Sequence, residues 1–496
     1  MMTPQDAPRH GTPEDQSPLL RVAHGYDLLG KGQQGAALAA AESALLDAPE
    51  LVDALLLRGA ALKAAGRFAD AIDSFEAALA RDPSRAAARV SLANAQAELG
   101  ELTAAEANLL QALVLAPRLK AAHASLITVC ALLKRDDLTE GACHRTLAID
   151  PASVNAHQHL AAVLERRGEA AEARRHRDAA YRRQNLFVEP ATGPAPTALV
   201  LVTADDGNIP LRYLLSRDRY TVVKWLIDYA TPEQMLDLPR HDFVLNAIGE
   251  PELPEATHAA AEQFRQVCAA PFLNRPGRVA RTGRTALPAL LGDLPDVVVP
   301  RAVRWHAGEA PPLPLPVLVR PVGSHGGAGL VRAATEAEFA RAVQPHALCD
   351  VTAFHDFAGA DGLFRKYRMV FIDRRPMPYH LAIGDRWLVH YLSTNMLGEP
   401  ARRAEEGRFL DDPQAAIGAR AMAALAAIGA RLDLDYAGVD FSVLPDGHVL
   451  VFEANATMVV HPEAPDSVLA YKNSAVAAIL AAFDRMAVAE RAHATV

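Results

Sequence analysis

Three oxygen-bearing side chains, Asp440, Glu453 and Asn455, fall within Gly438 to Asn455, a stretch that reads GVDFSVLPDGHVLVFEAN. VDFSVL and HVLVFEAN alternate or run apolar around Pro445-Asp446-Gly447, a turn sequence, which predicts two neighbouring antiparallel strands. Asp440 near the start of the first strand then lies across from the end of the second, and the period of two sends Glu453 and Asn455 to one face. Two carboxylates and a carboxamide so placed suit a hard cation that is shared with substrate phosphates, as Mg²⁺ commonly is. A solvated hairpin face is the competing account of the same residues.

Upstream, the apolar strand VLVRP ends in Arg320-Pro321 and runs into Gly323-Ser324-His325-Gly326-Gly327-Ala328-Gly329. Glycines let backbone N–H groups wrap an anion, and a cation just before them can hold the same phosphates. The spacing is not that of a Walker A loop, because the closing Lys-Ser/Thr is absent, nor that of GxGxxG. A plain turn is the alternative, and the downstream carboxylate cluster favours the phosphate reading.

From about residue 198 onward these segments resemble the ATP-grasp superfamily, the fold of D-alanine–D-alanine ligase, glutathione synthetase and the ribosomal-protein glutamate ligases. ALVLVT and DFVLNAIGEPE (198–203, 242–252) look like the first substrate-binding lobe, and 273–303 looks like the segment that carries the first nucleotide-binding lysine. Arginine stands there instead, Arg281 or Arg284, and Arg320 stands in place of the second lysine. The resemblance implies that Arg281 or Arg284, Arg320, Gly323, Ser324, His325, Gly326, Gly327 and Gly329 bind ATP. Asp356, in VTAFHDF, is implied as a ribose acceptor. It further implies Mg²⁺ on Asp440, Glu453 and Asn455, with Lys366 and Arg368 in FRKYRMVFID on the transferred phosphoryl group. Arginine for lysine exchanges a point charge for a planar fork. Gly438 stands where dipeptide ligases carry an acyl-binding arginine, and ATMVVHPE lacks their Ser-Pro-Gly, so the substrate does not transfer with the chemistry.

That chemistry would be attack of a substrate carboxylate on the γ-phosphoryl of ATP, then attack of an amine on the acyl phosphate. It needs charge neutralisation and alignment and no nucleophilic side chain. Cys130, Cys143, Cys268 and Cys349 form no CxxC or Cys/His pattern and are expected to be buried apolar residues. His380 and His390, with Tyr379 and Tyr391 in PYHLAIGDRWLVHY, are read as a tight hairpin that lines an acceptor pocket or simply packs across strands. Residues 393–412 are charged and poor in large apolar groups, and read as a mobile segment able to close over substrate. Asn246 and Arg278 are further candidates for substrate contact, a turn role being the alternative for Asn246.

The N-terminal third runs on a different clock. Pro49, Pro83, Pro117 and Pro151 recur every 34 residues, as do Gly32, Gly66 and Gly100, with Gly168 returning to the phase after one skipped repeat. Ala37, Ala71, Ala105 and Ala173 share one phase, and Ala44, Ala78, Ala112 and Ala180 another. This resembles the tetratricopeptide (TPR) repeat, two antiparallel helices per unit. Five units fit, at 18–51, 52–85, 86–119, 120–153 and 154–187. The fourth is degraded, with Lys134, Thr139 and Thr146 in the small-residue positions. Such an array forms a curved solenoid suited to a peptide or protein partner. Its last helix, RRHRDAAYRRQN (174–185), is basic, which suits a solvated face or an acidic partner.

The expected architecture is therefore an all-α TPR solenoid (18–187) after a disordered tail (1–17). A Pro-rich linker (188–197) leads to an α+β ATP-grasp domain, with a substrate lobe at 198–300 and catalytic lobes at 301–490. The net charge of −9 argues against general nucleic-acid binding. The polar opening MMTPQDAPRHGTPEDQSP reads as no signal peptide, and no apolar run is seen to approach the length of a membrane span, so a cytoplasmic location is expected. The expected function is ATP-dependent joining of a carboxylate to an amine on a peptide or protein held by the repeats. A small-molecule amino-acid ligase that uses the repeats for assembly, as in an oligomer, and a non-catalytic nucleotide-binding scaffold are the alternatives.

Overall fold

The computed structural model describes residues 17–205, 207–324 and 327–494. The chain divides after Asn185 into two compact units. In the first, ten helices alternate with tight turns: α1 (Pro18–Gly30), α2 (Gln34–Asp47), α3 (Val52–Ala64), α4 (Phe68–Arg81) and α5 (Ala86–Glu98), then α6 (Leu102–Leu115), α7 (Lys120–Leu132), α8 (Asp136–Ile149), α9 (Val154–Arg166) and α10 (Ala170–Tyr181). The clock has a physical cause. Ala37, Ala71, Ala105 and Ala173 are fully buried where paired helices touch, so nothing larger than a methyl fits without separating them. Gly32, Gly66, Gly100 and Gly168 all take positive φ, between 73° and 82°, to turn the chain between the helices of a pair. In the fourth unit Lys134 adopts φ 56° at the same place, a strained position for a residue with a Cβ. Thr139 and Thr146 fill the alanine positions by bonding their hydroxyls back to Arg135 O (3.0 Å) and Ala142 O (2.8 Å). The degraded unit thus keeps the fold while departing from the consensus.

The second unit holds three sheets. The strands are β1 (Leu186–Glu189), β2 (Thr197–Val202), β3 (Thr221–Leu226), β4 (Phe243–Asn246), β5 (Phe272–Leu273), β6 (Val297–Val298) and β7 (Ala302–His306). They continue with β8 (Val317–Pro321), β9 (Val331–Ala333), β10 (Leu348–Ala353), β11 (Phe364–Ile372), β12 (Arg375–Gly384), β13 (Tyr436–Val443) and β14 (Val449–Asn455). The helices are α11 (Glu255–Val267), α12 (Pro276–Val279), α13 (Leu287–Leu291), α14 (Glu336–Val343), α15 (Pro400–Asp411), α16 (Pro413–Leu432) and α17 (Asn473–Ala494). The first sheet has the order β1-β3-β2-β4-β5, with β1 the antiparallel edge of a parallel set. The second, β7-β10-β8-β9, is antiparallel throughout. The third, β12-β11-β13-β14-β6, is antiparallel except for β6.

Three expectations change. Residues 186–189, placed at the end of the last repeat and the start of the linker, form β1, because Leu186 to Glu189 can pair with Trp225 to Val222 and cover that edge. Residues 400–411, read as mobile, form α15. Pro400 starts it, and Phe409 and Leu410 are buried beneath it with Glu406. Arg402 and Arg403 hold the preceding turn by donating to the carbonyl oxygens of Ile383, Thr394, Met396 and Leu397. By length and hydropathy α16 is apolar enough to cross a membrane. It is kinked at Gly418, and it packs within this unit through Ala421, Leu425 and Ile428.

Asn274 locks the end of the first sheet to the third. Its side chain donates to Tyr436 O (2.9 Å) and accepts from the N–H groups of Asp435 and Tyr436, while its own N–H donates to the Asp435 carboxylate at 2.7 Å. The start of β13, and with it the position of Asp440, is set by this clasp.

Lys134→Gly should raise the stability of the first unit by about 0.5–1 kcal/mol, because it removes a Cβ from a left-handed turn. Chemical denaturation of the full chain, followed by helical circular dichroism, measures it. Gly429→Ala should go the other way, since its Cβ would lie 2.2 Å from Arg374 O.

Candidate functional site

Between the second and third sheets lies a cavity of about 200 Å³. Strand alternation gives it two unlike ends. Along β11, Arg368 and Lys366 face it, whereas Tyr367 between them turns away to stack on Phe441 at 5.3 Å. Along β8, Arg320 is followed by Leu318. Asp350 on β10 is followed by Thr352 and then Phe354 beyond the strand end. Glu453, Phe452 and Leu450 line it from β14, and Arg284 enters from the loop before α13. One end is therefore cationic, with Arg284, Arg320, Lys366 and Arg368. The other is apolar and aromatic, with Phe354 and Trp387 edge to face at 5.9 Å and Phe357 against Phe452 at 4.8 Å.

The expected hairpin is present. Asp440 pairs with Glu453 and Gly438 with Asn455, and a bulge follows at Phe452. The bulge lets two successive residues, Phe452 and Glu453, both line the cavity, which strict alternation forbids. Asp440 is fully buried. Arg368 donates to both its oxygens, Nε to Oδ1 at 2.5 Å and Nη2 to Oδ2 at 2.8 Å, and Lys366 Nζ reaches Oδ2 at 3.1 Å. Burial pushes the Asp440 carboxyl up, but Arg368 and Lys366 outweigh it and hold it far below the usual carboxylate range. Burial likewise opposes the charge on Arg368, and the partnership with Asp440 raises its pKa in spite of that. Glu453 is faced by Arg284 at 3.4 Å and Arg320 at 3.7 Å. Desolvation and the neighbouring Arg284 lower the Arg320 pKa. The Nε groups of Arg284 and Arg320 are both buried with no hydrogen-bond partner.

Four cations against Asp440, Glu453 and Asp350 leave a place for an anion. Asp440, Glu453 and Asn455 are all-oxygen donors of the kind a hard cation takes, so the donor set fits Mg²⁺ in type. In this structure Asp440 is taken by its two cations, and the Asn455 side chain accepts from Thr457 N at 3.1 Å. Among the described residues no three His, Cys, Asp or Glu side chains gather as a metal-holding group.

Of the other expected residues, Arg284 rather than Arg281 reaches the cavity, where it donates to Ser324 O at 3.0 Å. Gly327 lines the wall; Gly323 and Gly329 supply positive φ angles of 71° and 66° that shape the turn. The Ser324 hydroxyl donates to Pro321 O at 2.8 Å. His325 and Gly326 lie outside the described residues. Asp356 is exposed, does not line the cavity and accepts from Ala358 N–H, closing a local turn. Asn246 is the buried last residue of β4, whose side chain donates to Asn274 O and accepts from Ile248 N–H, and Arg278 pairs with Asp433 at 2.9 Å away from the cavity. The expected hairpin at 378–391 is not one: β12 pairs with β11, and Tyr391 begins a single 3₁₀ turn. His390 lines the cavity, while His380 stacks behind it between Tyr379 and Tyr391.

Sequence reasoning missed Asp350, Trp387 and the buried Glu406. Asp350 carries a legible signal, as the one charged residue in the apolar run ALCDVTAF. Glu406 accepts from Leu381 N–H and from the hydroxyls of Tyr391 and Tyr471, and burial raises its pKa. Nothing in the charged pattern of residues 393–412 distinguishes it.

Residues 62–128 match the model of the tetratricopeptide repeat. Among solved structures the chain is similar to "Crystal structure of MamA" at 27% identity, with 32% of this chain and 91% of that chain covered and a TM-score of 0.30. It is also similar to TTC0263, a thermophilic TPR protein in Thermus thermophilus, at 23% identity over 34% and 92% of the two chains with a TM-score of 0.30. A third is YrrB, a TPR protein with an unusual peptide-binding site, at 19% identity, 34% and 87% coverage and a TM-score of 0.30. No curated protein sequence matches.

Asp440→Asn should cost about 3 kcal/mol, because it leaves Arg368 and Lys366 buried without a counter-charge. The folded carboxyl is held below its unfolded value of about 3.9, so its contribution is whole above about pH 4 and shrinks as pH falls. Urea unfolding from pH 7 down to pH 3 should therefore show a shallower acid loss in the variant than in the wild type.

Proposed function

We propose that this chain, whose N-terminal region is a TPR array, is an ATP-dependent ligase of the ATP-grasp kind that joins a carboxylate to an amine. The observation that carries the reading is the two-ended cavity. Its apolar end, with Phe354, Trp387 and Phe452, suits a planar base, and its cationic end suits a triphosphate. The cations carried by the strands on either side and the glycine turn after Arg320 support this reading.

In this reading the substrate carboxylate oxygen attacks the γ-phosphorus, the bond to the β-phosphate oxygen breaks, and ADP leaves. The amine nitrogen then attacks the acyl carbon, phosphate departs, and the amine gives up its proton. Arg368 and Lys366 offset charge on the transferring group, and Arg284 and Arg320 hold the remaining phosphates. Their planar forks replace the lysine point charges of the family. When bound, Mg²⁺ would be held by Asp440, Glu453 and Asn455 and would neutralise phosphate charge. A peptide or protein is the favoured substrate, because the repeat array supplies the kind of surface that holds one.

A scaffold that binds nucleotide without turnover is the second reading, favoured by the clasp of Arg368 and Lys366 on Asp440. ADP and phosphate release from Mg·ATP against pooled amino acids, short peptides and candidate proteins separates the two. A ligase should respond to one pool and fall at least about a hundredfold in Arg368→Ala, with no response in Glu453→Ala. Nucleotide binding without release in any pool would leave the scaffold.

A further inference from the structure

Trp387, Leu388, Val389 and His390 line the cavity from the segment that follows β12. They reach across to the second sheet at two places. Trp387 stands edge to face with Phe354 beyond the end of β10, and a Cβ built on Gly327, after β8, would lie 3.5 Å from Leu388 Cδ1. Val389 is buried on the other side with Phe357, Ala382 and Leu450. Among the described residues no strand holds these four in place, since β12 ends at Gly384 and the next regular element is the single turn Tyr391–Ser393.

The segment is held at its neck. Its two ends come so close that a Cβ built on Gly384 would lie 3.1 Å from Thr394 Cγ2, the closed form of an Ω-loop. One guanidinium spans them. Arg402 Nη1, from α15, donates to Ile383 O at 2.9 Å and to Thr394 O at 2.8 Å, and Nη2 donates to Asp385 Oδ1 at 2.5 Å. The Arg402 side chain is 15% exposed, so water competes little for these bonds. Farther along α15, Glu406 accepts from the Tyr391 hydroxyl at 2.9 Å and anchors the loop next to His390. Arg402 itself does not line the cavity. We infer that Arg402 is the positioning residue of this wall: by tying both ends of loop 384–394 it fixes where Trp387 to His390 stand between the two sheets, without touching a ligand. Lysine keeps the charge but offers a point donor in place of the fork that spans the neck.

The test compares full-length wild type, Arg402→Ala, Arg402→Lys and Asp385→Asn by hydrogen exchange read by mass spectrometry, by acrylamide quenching and by calorimetric binding of ATP. Trp225 and Trp305 are buried and Trp387, the third tryptophan of the chain, is half-buried, so quenching reports on the loop. Arg402→Ala should speed exchange of residues 385–394 by about tenfold or more and raise the quenching, while β11 and β13 exchange as in the wild type. Arg402→Lys should fall between the two, and Asp385→Asn, which keeps both carbonyl bonds, should stay close to the wild type. Resting on the nucleotide reading above, ATP affinity should fall about tenfold in Arg402→Ala and stay within about twofold in Asp385→Asn. Unchanged exchange of the loop in folded Arg402→Ala overturns the inference. Acceleration spread evenly over the second unit does so too, because it marks a general loss of stability. A loosened loop with unchanged ATP affinity overturns the role in the site. Failure of the wild type to bind ATP is a different outcome: it removes the nucleotide reading, and exchange and quenching then decide the Arg402 assignment by themselves.

Discussion

Two strands of the third sheet, β11 and β13, carry opposite charges to the same buried point, where Arg368 meets Asp440 with Lys366 beside it. Each charge alone would be expensive to hide from water, and the bidentate fork makes the pair tolerable. The contact fixes which side of β11 faces the cavity, because Lys366 and Arg368 must both reach Asp440. Tyr367 is thereby committed to the opposite face against Phe409 and Phe441. One ion cluster thus sets the chemistry of the cavity wall and the packing of the layer behind it.

The same cluster explains why the site is poised for an anion. Arg284 and Arg320 both face the Glu453 carboxylate at distances longer than a good hydrogen bond, and each keeps an unpartnered Nε. Like charges so close are held by the surrounding strands and not by one another. The desolvation that lowers the Arg320 pKa is a stored cost that a multiply charged ligand would relieve.

Much of this was legible in the sequence where a period governs structure. The 34-residue clock located the ten helices, since small residues and glycine turns obey hard steric limits. Alternation and Pro445-Asp446-Gly447 located the β13–β14 hairpin and its opposed Asp440 and Glu453. Legibility failed where tertiary contact overrode local pattern. The charged segment around Glu406 became a helix because Phe409 and Leu410 found a sheet to cover. Asp356 and Arg281 had the right residue types but are not among the residues that line the cavity. The bulge at Phe452 has no sequence mark, yet it decides which β14 side chains line the wall.

The fourth repeat gives the helical array an uneven mechanical character. In a stack where each unit touches its neighbours, stability is close to a sum of unit and interface terms. A unit that uses hydroxyls to fill alanine positions and bends a lysine into a glycine turn is its weak member. Ion pairs cross its borders, Arg135 to Glu106 on one side and Arg166 to Asp136 on the other, and couple it to both neighbours. By this sum the fourth unit, with three units before it and one after, is where a change in the curvature of the array costs least.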